Sequence, residues 1–334
     1  MRSRSDWWSW PLRWIVLAAA YYGTGRLGLL KRLTIDGVVV TPMWPTMGVA
    51  LAALLLWGVR MWPGVLMGAL SIYLTGSPFK PEGIAISVGS TCAVLLSWWL
   101  LRRVGFRPQM DRLRDGLSLV FLGGFAGMVI SASVGASLQA YKGGIQPGGF
   151  WAVWSVWWAG DVLGVLLLTP LLLMLVRGRG LVPEERSLGR MVEATLLGAV
   201  VLVATPLITL TGTRLLFVMF PMVIWSALRF RMPGAAPTVL YTAILVTEAA
   251  TDSRGLFSVQ SVTERMWFVQ AFNGSAVVTS LLLSTLVTEQ LKVRLRIEQV
   301  CFELAEVVDY LTPGASVAHW PLRDEATRRG STEL

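Results

Sequence analysis

Residues 150–175 read FWAVWSVWWAGDVLGVLLLTPLLLML and contain a single charged side chain, Asp161. A helix needs about twenty apolar residues to cross the roughly 30 Å hydrocarbon core of a bilayer, so this stretch is long enough to do so. The whole chain has the same bias, because 54% of its 334 residues are apolar and only 15% are charged. Soluble proteins carry roughly a quarter of charged residues. The sequence therefore predicts an integral membrane protein.

Ten apolar runs of this kind follow one another along the chain. They cover residues 11–30, 42–57, 61–74, 84–101, 117–140, 150–176, 191–210, 215–228, 235–250 and 266–287. The second and third runs are short, as are the eighth and ninth, so each pair forms either two spans or one re-entrant hairpin. We expect an all-α integral membrane protein, a polytopic helical bundle of about ten spans, or eight if the short pairs are re-entrant. Both counts leave the two termini on one side.

Lys and Arg are divided unevenly between alternate connections of this array. The connections on the side of the termini hold eighteen of them, and those on the opposite side hold seven. Because basic loops stay in the cytoplasm, both termini are predicted to be cytoplasmic. The net charge of +9 comes from these short loops, so the expected partner is the lipid bilayer and not a nucleic acid.

Residues that would support catalysis or metal binding are scarce. The two cysteines, Cys92 and Cys301, have no CxxC spacing, and the chain has one histidine, His319. A haem or metal centre built on paired histidines is therefore excluded. The sequence also contains no P-loop. We expect no enzymatic activity, no catalytic residue, no metal and no cofactor.

Asp161 is the strongest candidate for a functional residue, because a carboxylate inside an apolar span is costly. Gly160 and Gly164 beside it predict the close approach of another helix. One interpretation is a buried acid that binds a ligand or changes protonation during signalling. The other is a hydrogen bond or ion pair that fixes packing. The candidate partners of Asp161 are Arg26 in the first run and Gln270, Asn273 and Ser275 in the last.

The second run begins with the sequence TPMWPTMG, residues 41–48. Pro42 and Pro45 leave backbone carbonyls without helical partners, which is tolerated where the chain is buried in protein or lines a cavity. The segment is either a wall of a ligand pocket, with Trp44 and Pro45 as candidate binding residues, or a rigid helix start anchored at the interface by Trp44.

Two arginine-containing turns look alike. Residues 54–70 read LLLWGVRMWPGVLMGAL, and residues 224–240 read IWSALRFRMPGAAPTVL. In both, an apolar helix leads to Arg and Met, and Pro-Gly opens the next helix. We predict cytoplasmic turns in which Arg60, Arg229 and Arg231 reach the lipid headgroups. A parallel internal duplication and ordinary turn chemistry explain the likeness equally well.

The order of these pieces resembles the first type of membrane-associated sensor domain, the MASE family, over roughly residues 12–290. The resemblance is carried by Trp44-Pro45 with Gly48, Trp62-Pro63-Gly64, Trp158-x-Gly160-Asp161-x-x-Gly164, Thr169-Pro170 and Thr288-Glu289. It adds Trp158 to the candidate site. It implies an input module of the bacterial cytoplasmic (inner) membrane, usually fused to histidine kinase or diguanylate cyclase outputs.

Three domains are expected: a membrane-embedded sensor domain at 11–290, an amphipathic signalling helix at 291–312 and a disordered tail at 313–334. The signalling helix carries apolar residues at alternating steps of three and four, which is the seam of a short coiled coil. It either forms a homodimer or rests on the membrane. The seam consists of Ile297, Val300, Leu304, Val307 and Leu311. The tail is too short for an output domain.

Two functions are compatible with these features. In the first, the bundle perceives a small molecule or a membrane-state signal and relays it through the C-terminal helix to a cytoplasmic partner. In the second, the protein is a transporter or a substrate-binding membrane component for a small, apolar molecule, in which broken helices are common. The family resemblance favours the sensor.

Overall fold

The structure is a computed structural model that describes residues 5–35, 37–76, 81–177, 188–211 and 215–311. His319 and the segment 313–334, for which disorder is predicted, lie outside the described residues. The chain divides into two units, Met1–Thr288 and Glu289–Leu334. The predicted signalling helix falls in the second unit.

Helices make up almost all of the first unit. In chain order they are α1 (Ser5–Leu29), α2 (Pro45–Trp57), α3 (Trp62–Gly76), α4 (Pro81–Arg103), α5 (Leu113–Ser118), α6 (Gly127–Tyr141), α7 (Phe150–Arg177), α8 (Leu188–Leu210), α9 (Met219–Thr251) and α10 (Val262–Leu311). A π-helical segment, Leu119–Ala126, joins α5 to α6. Every predicted apolar run is helical over most of its length.

Six helices among the described residues are long and apolar enough to cross a membrane: Pro81–Arg103, Leu113–Tyr141, Phe150–Val176, Leu188–Thr209, Leu216–Phe257 and Val262–Val308. Helix α2 is apolar but has only 13 residues, about 20 Å of helix, which is shorter than the hydrocarbon core. The protein is thus a multi-pass helical membrane protein. The predicted count of ten spans is not confirmed, and the predicted side of the termini stays a prediction.

The eighth and ninth apolar runs form the two halves of α9, which breaks at Arg231 with φ 54° and ψ −146°. After the break Gly234 lies against Phe230 and close to the Ser226 carbonyl oxygen. A side chain at Gly234 would collide with Phe230, so the Pro-Gly pair permits the tight change of direction. Gly58, between α2 and α3, has a comparable positive φ of 89°.

A two-stranded antiparallel hairpin precedes α2, in which Leu33–Ile35 pairs with Val38–Val40. The sequence analysis did not anticipate these strands, because three residues are too few to give a clear alternating pattern. Ile35, Val38 and Val40 are buried against residues of α6, α7 and α10. The hairpin therefore closes one end of the bundle, which we call the hairpin end.

Helix α7 lies in the middle of the first unit, packed by α2, α6 and α9. Its buried Val165 and Leu166 belong to one apolar core with Leu51 and Leu54 of α2. Most of the α7 surface therefore contacts protein and not lipid, which makes α7 the element that positions the site.

In the second unit, α10 continues to Leu311. Four of the five predicted seam residues, Ile297, Val300, Leu304 and Val307, are exposed. The side chain of Leu311 lies outside the described residues. Dimer formation through this seam stays a prediction.

Candidate functional site

The segment 41–48 passes directly over α7, and two glycines of α7 make this approach possible. A Cβ added at Gly160 would lie 2.9 Å from the Thr41 carbonyl oxygen, and one added at Gly164 would collide with the Trp44 carbonyl. The Trp44 amide donates a hydrogen bond to the Gly160 carbonyl oxygen, with an N···O distance of 2.9 Å. The close approach predicted from Gly160 and Gly164 is present.

A cavity of about 920 Å³ opens beside this crossing, toward the hairpin end. Helices α1, α3, α4, α6 and α7, the hairpin and the segment before α2 all contribute to its wall. Its polar and aromatic lining residues are Arg26, Arg32, Thr41, Trp44, Tyr73, Glu82, Ser90, Gln139, Trp157 and Asp161. The volume lies within the range of small-molecule binding sites.

Asp161 lines this cavity with only 1% of its surface exposed. Its Oδ2 atom is buried and has no hydrogen-bond partner. The Ser131 side chain lies beside the carboxylate, and Ser131 Oγ is 3.5 Å from Ser90 Oγ. Among the described residues Asp161 forms no salt bridge. A buried carboxylate with an unsatisfied oxygen is costly, so Asp161 Oδ2 is an unsatisfied acceptor beside the cavity.

Two further polar groups border Asp161 that sequence reasoning missed. Tyr21 is 1% exposed, and its phenol lies beside the side chains of Thr46 and Trp44 within electrostatic range of Asp161. The Tyr73 phenol also interacts with Asp161. Thr46, like Ser90 and Ser131, is a polar residue in an apolar run. Asp161 was found as a charged residue inside an apolar run. A search for hydroxyl groups inside apolar runs would also have found Thr46, Ser90 and Ser131.

Arg26 lies near the end of α1 and lines the same cavity as Asp161. The predicted ion pair between them is absent, although α1 and α7 meet the same segment of chain. Gly28 of α1 contacts Trp44 and Pro45, but the Arg26 side chain is exposed whereas Asp161 is buried. The structure brings the two charges to one cavity without joining them.

Gln270 and Asn273 of α10 form their hydrogen bonds with groups other than Asp161 among the described residues. The Gln270 Nε2 group donates to the Val156 carbonyl oxygen at 2.8 Å and to the Pro42 carbonyl oxygen at 3.3 Å. Gln270 thereby links α10 both to α7 and to the segment 41–48 that crosses α7. Asn273 Nδ2 donates instead to Thr247 Oγ1 of α9 at 3.1 Å.

Trp158 and Pro45 pack close to the cavity but do not line it. The Trp158 indole nitrogen donates to the Phe125 carbonyl oxygen in the π-helical segment at 2.9 Å. Its ring stacks on Trp154, with centroids 6.0 Å apart and planes 9° apart. Pro45 occupies the first turn of α2, where a missing amide hydrogen is harmless.

The three arginines of the predicted turns lie away from the cavity. The Arg60 carbonyl oxygen accepts a hydrogen bond from the Trp14 indole at 2.8 Å. Arg229 Nε lies 2.6 Å from Glu193 Oε2 of α8. Arg231 is the residue at the break of α9 and is 7% exposed. Their predicted reach to the headgroups stays a prediction.

Charged pairs surround the cavity at the hairpin end. Lys31 Nζ lies 3.1 Å from Asp252 Oδ1 and 3.3 Å from Glu248 Oε1. The hydrogen bond with Asp252 raises the pKa of the Lys31 ammonium. Glu82, on the cavity wall, pairs with Lys142 at 2.5 Å. These side chains form ion pairs, whereas Arg26 and Asp161 form none among the described residues.

Fold and site together define a multi-pass helical membrane protein with an internal cavity. The MASE1 family model, which describes a membrane-associated sensor domain, matches residues 14–291. The chain belongs to the MASE1 family, as the motifs around Trp44 and Asp161 indicated. No curated protein and no solved structure matches the chain.

Proposed function

We propose that the cavity beside Asp161 binds a small molecule and that this chain is the sensing part of a bacterial signalling system. The observation that carries the proposal is the buried, unsatisfied Asp161 carboxylate on the wall of a cavity of about 920 Å³. A carboxylate required only for packing would be expected to have both oxygens satisfied within the protein, whereas Ser131 lies beside the Asp161 carboxylate and Oδ2 has no partner. A ligand that occupies the cavity would supply the missing donor.

The relay starts at the crossing of segment 41–48 over α7. Trp44 lines the cavity and contacts Gly164, and Gln270 of α10 holds the carbonyl groups of Pro42 and Val156. A ligand that displaces Trp44 would change these hydrogen bonds and so act on α10. The signal would then reach a partner through the residues of α10 beyond Thr288.

The protein is proposed to lie in the inner membrane with both termini in the cytoplasm, and to have no enzymatic activity itself. Its output would depend on a cytoplasmic partner and on a homodimer of the signalling helix. The exposed Ile297, Val300, Leu304 and Val307 support the dimer, because residues at heptad spacing are normally covered by a second helix.

The native Cys301 offers a direct test. It is exposed and directly follows the seam residue Val300, so in a parallel coiled coil the two thiols would flank the seam, within reach of a short bismaleimide cross-linker. In a Cys92→Ser background, treatment of native membranes with the bismaleimide is expected to give a covalently linked dimer. Leu304→Glu is expected to reduce the dimer several-fold, since it puts a charge in the seam. Equal cross-linking in both proteins would contradict the dimer.

Asp161→Asn in the same background tests the link between cavity and output. We expect a several-fold change in Cys301 cross-linking relative to the parent protein, while Glu193→Gln on α8 leaves it unchanged. Identical yields in all three proteins would contradict the sensor.

The alternative function is a transporter. The non-helical segment that precedes α2 favours it, because transporters commonly bind their substrates where helices are interrupted. The two functions differ in what they require of the C-terminal helix. Removal of residues 297–334 should abolish signalling in a sensor but leave uptake intact in a transporter.

A further inference from the structure

Two oppositely charged side chains on the cavity wall, Asp161 and Arg26, have no ion-pair partner among the described residues. Asp161 reaches the cavity from α7 and Arg26 from α1. Both helices contact the same segment: Gly28 touches Trp44 and Pro45, and Gly164 touches the Trp44 carbonyl. Within the described part of the chain, neither charge forms a salt bridge. The Asp161 carboxylate and the Arg26 guanidinium therefore both line the cavity without pairing with each other.

Neighbouring charges in the same region are paired. Glu82 is bound to Lys142, and Lys31 is bound to Glu248 and Asp252. The pairing of these side chains leaves Arg26, Arg32 and Asp161 as the charged lining residues with no ion pair in the described ranges. A ligand in the cavity would therefore meet one buried carboxylate, Asp161, and two exposed guanidinium groups, Arg26 and Arg32.

We propose that the cavity takes a zwitterionic ligand, an amine at one end and a carboxylate at the other, that bridges Asp161 and Arg26. The inference rests on the proposed function, since it names the class of molecule that the sensing cavity binds. The ammonium group pairs with the Asp161 carboxylate, and the acidic group binds Arg26, with Arg32 beside it. The ammonium group of the ligand thus supplies an ion-pair partner for Asp161, and its acidic group supplies one for Arg26.

The rest of the lining fits such a ligand. Trp44, Trp157 and Tyr73 also line the cavity, and aromatic rings stabilise nearby ammonium groups. Leu27, Val38 and Ile86 supply apolar surface for the body of the ligand between its charged ends. A simple amine would leave Arg26 without a counter-charge, and a simple acid would leave Asp161 without one.

The test uses ω-amino acids of increasing chain length, each with the alkylamine and the alkyl carboxylate of matching length. Their affinities are measured from the shift of the unfolding midpoint of the purified full-length chain in detergent. In the wild-type protein, at least one chain length is expected to bind tighter than both of its matched compounds. Zwitterions that bind no better than the matched compounds at every length would overturn the proposal.

Two variants test which residue binds each end of the ligand. Asp161→Asn is expected to weaken zwitterion binding by about 10- to 100-fold, the loss expected for one charge-assisted hydrogen bond. The zwitterion should then bind no better than the matched carboxylate. Arg26→Gln should make the zwitterion equivalent to the matched amine. Because Arg26 is exposed, that variant should fold even if Asp161→Asn does not.

Arg13→Gln is the matched control. Arg13 is an exposed arginine of the same helix, placed over the Trp10 ring, and it lies roughly 20 Å from Arg26 along α1. Its substitution should leave every affinity unchanged. A zwitterion preference that persists in Arg26→Gln would overturn the assignment of the acidic end.

The Cys301 cross-linking assay separates failure of this inference from failure of the proposed function. If no ω-amino acid is preferred but Asp161→Asn alters cross-linking, the ligand class is wrong and the sensor stands. If a zwitterion binds through Asp161 and Arg26 but neither ligand nor variant alters cross-linking, the site is correct and the signalling function is wrong.

Discussion

Helices α7 and α8 are almost equally apolar but have different surroundings. Their most apolar stretches have a mean hydropathy of 2.2 and 2.0, yet 61% of the stretch in α7 is buried in protein against 17% in α8. Each also contains one internal proline, Pro170 or Pro206. Hydropathy therefore indicates that both helices belong in the membrane, but it does not indicate which one is surrounded by other helices.

The glycines of the two helices show the difference. Gly160 and Gly164 of α7 lie against the backbone of segment 41–48, whereas a Cβ at Gly198 of α8 would meet nothing within 4 Å. Thr169 of α7 also donates a hydrogen bond to the Gly48 carbonyl oxygen at 3.2 Å. Small and polar residues at one face thus mark the helix that other parts of the chain approach closely.

The largest expected effect comes from adding one methyl group to each helix. Gly164→Ala should destabilise the protein by about 3 kcal/mol, because the new Cβ collides with the backbone at Trp44 and one of the two segments must move. Gly198→Ala should be neutral or stabilising by about 0.5 to 1 kcal/mol, because alanine loses less backbone freedom than glycine. Unfolding of the purified protein in denaturant measures both.

The two variants carry the same chemical change, so they control for each other. Equal stability of Gly164→Ala and Gly198→Ala would mean that segment 41–48 does not cross α7 as closely as described. The zwitterion affinity should also fall in Gly164→Ala, because Trp44 lines the cavity.

A smaller effect is expected from one interhelical hydrogen-bonding side chain. Gln270→Leu keeps a similar side-chain volume but removes the bonds to Pro42 and Val156, and it should cost about 1 kcal/mol. Thr195→Val on α8 removes a hydroxyl that bonds only to Met191 of its own helix. It should leave the unfolding midpoint unchanged. A loss of stability in Thr195→Val as large as that in Gln270→Leu would contradict the contrast between α7 and α8.

The same contrast explains how much could be predicted from the sequence. The apolar runs and the close approach at Gly160 and Gly164 depend on local composition, and the structure contains both. The partner of Gln270 and the failure of Arg26 to pair with Asp161 depend on distances between helices, which periodicity does not report. The strands at Leu33–Ile35 and Val38–Val40 were missed because they are stabilised by burial against three helices and have little pattern of their own.

The smallest effect is expected on the exposed side of the bundle, where α8 and α9 are joined by an ion pair. Glu193→Gln removes the charge that faces Arg229, but Gln can still accept the hydrogen bond from the Trp225 indole. Both partners are partly exposed, and Glu193 lies near the start of α8, so water, headgroups and salt screen the pair. The unfolding midpoint should not change measurably at physiological salt. A clear destabilisation that persists at high salt would show that α8 is as firmly packed as α7, against the difference in burial.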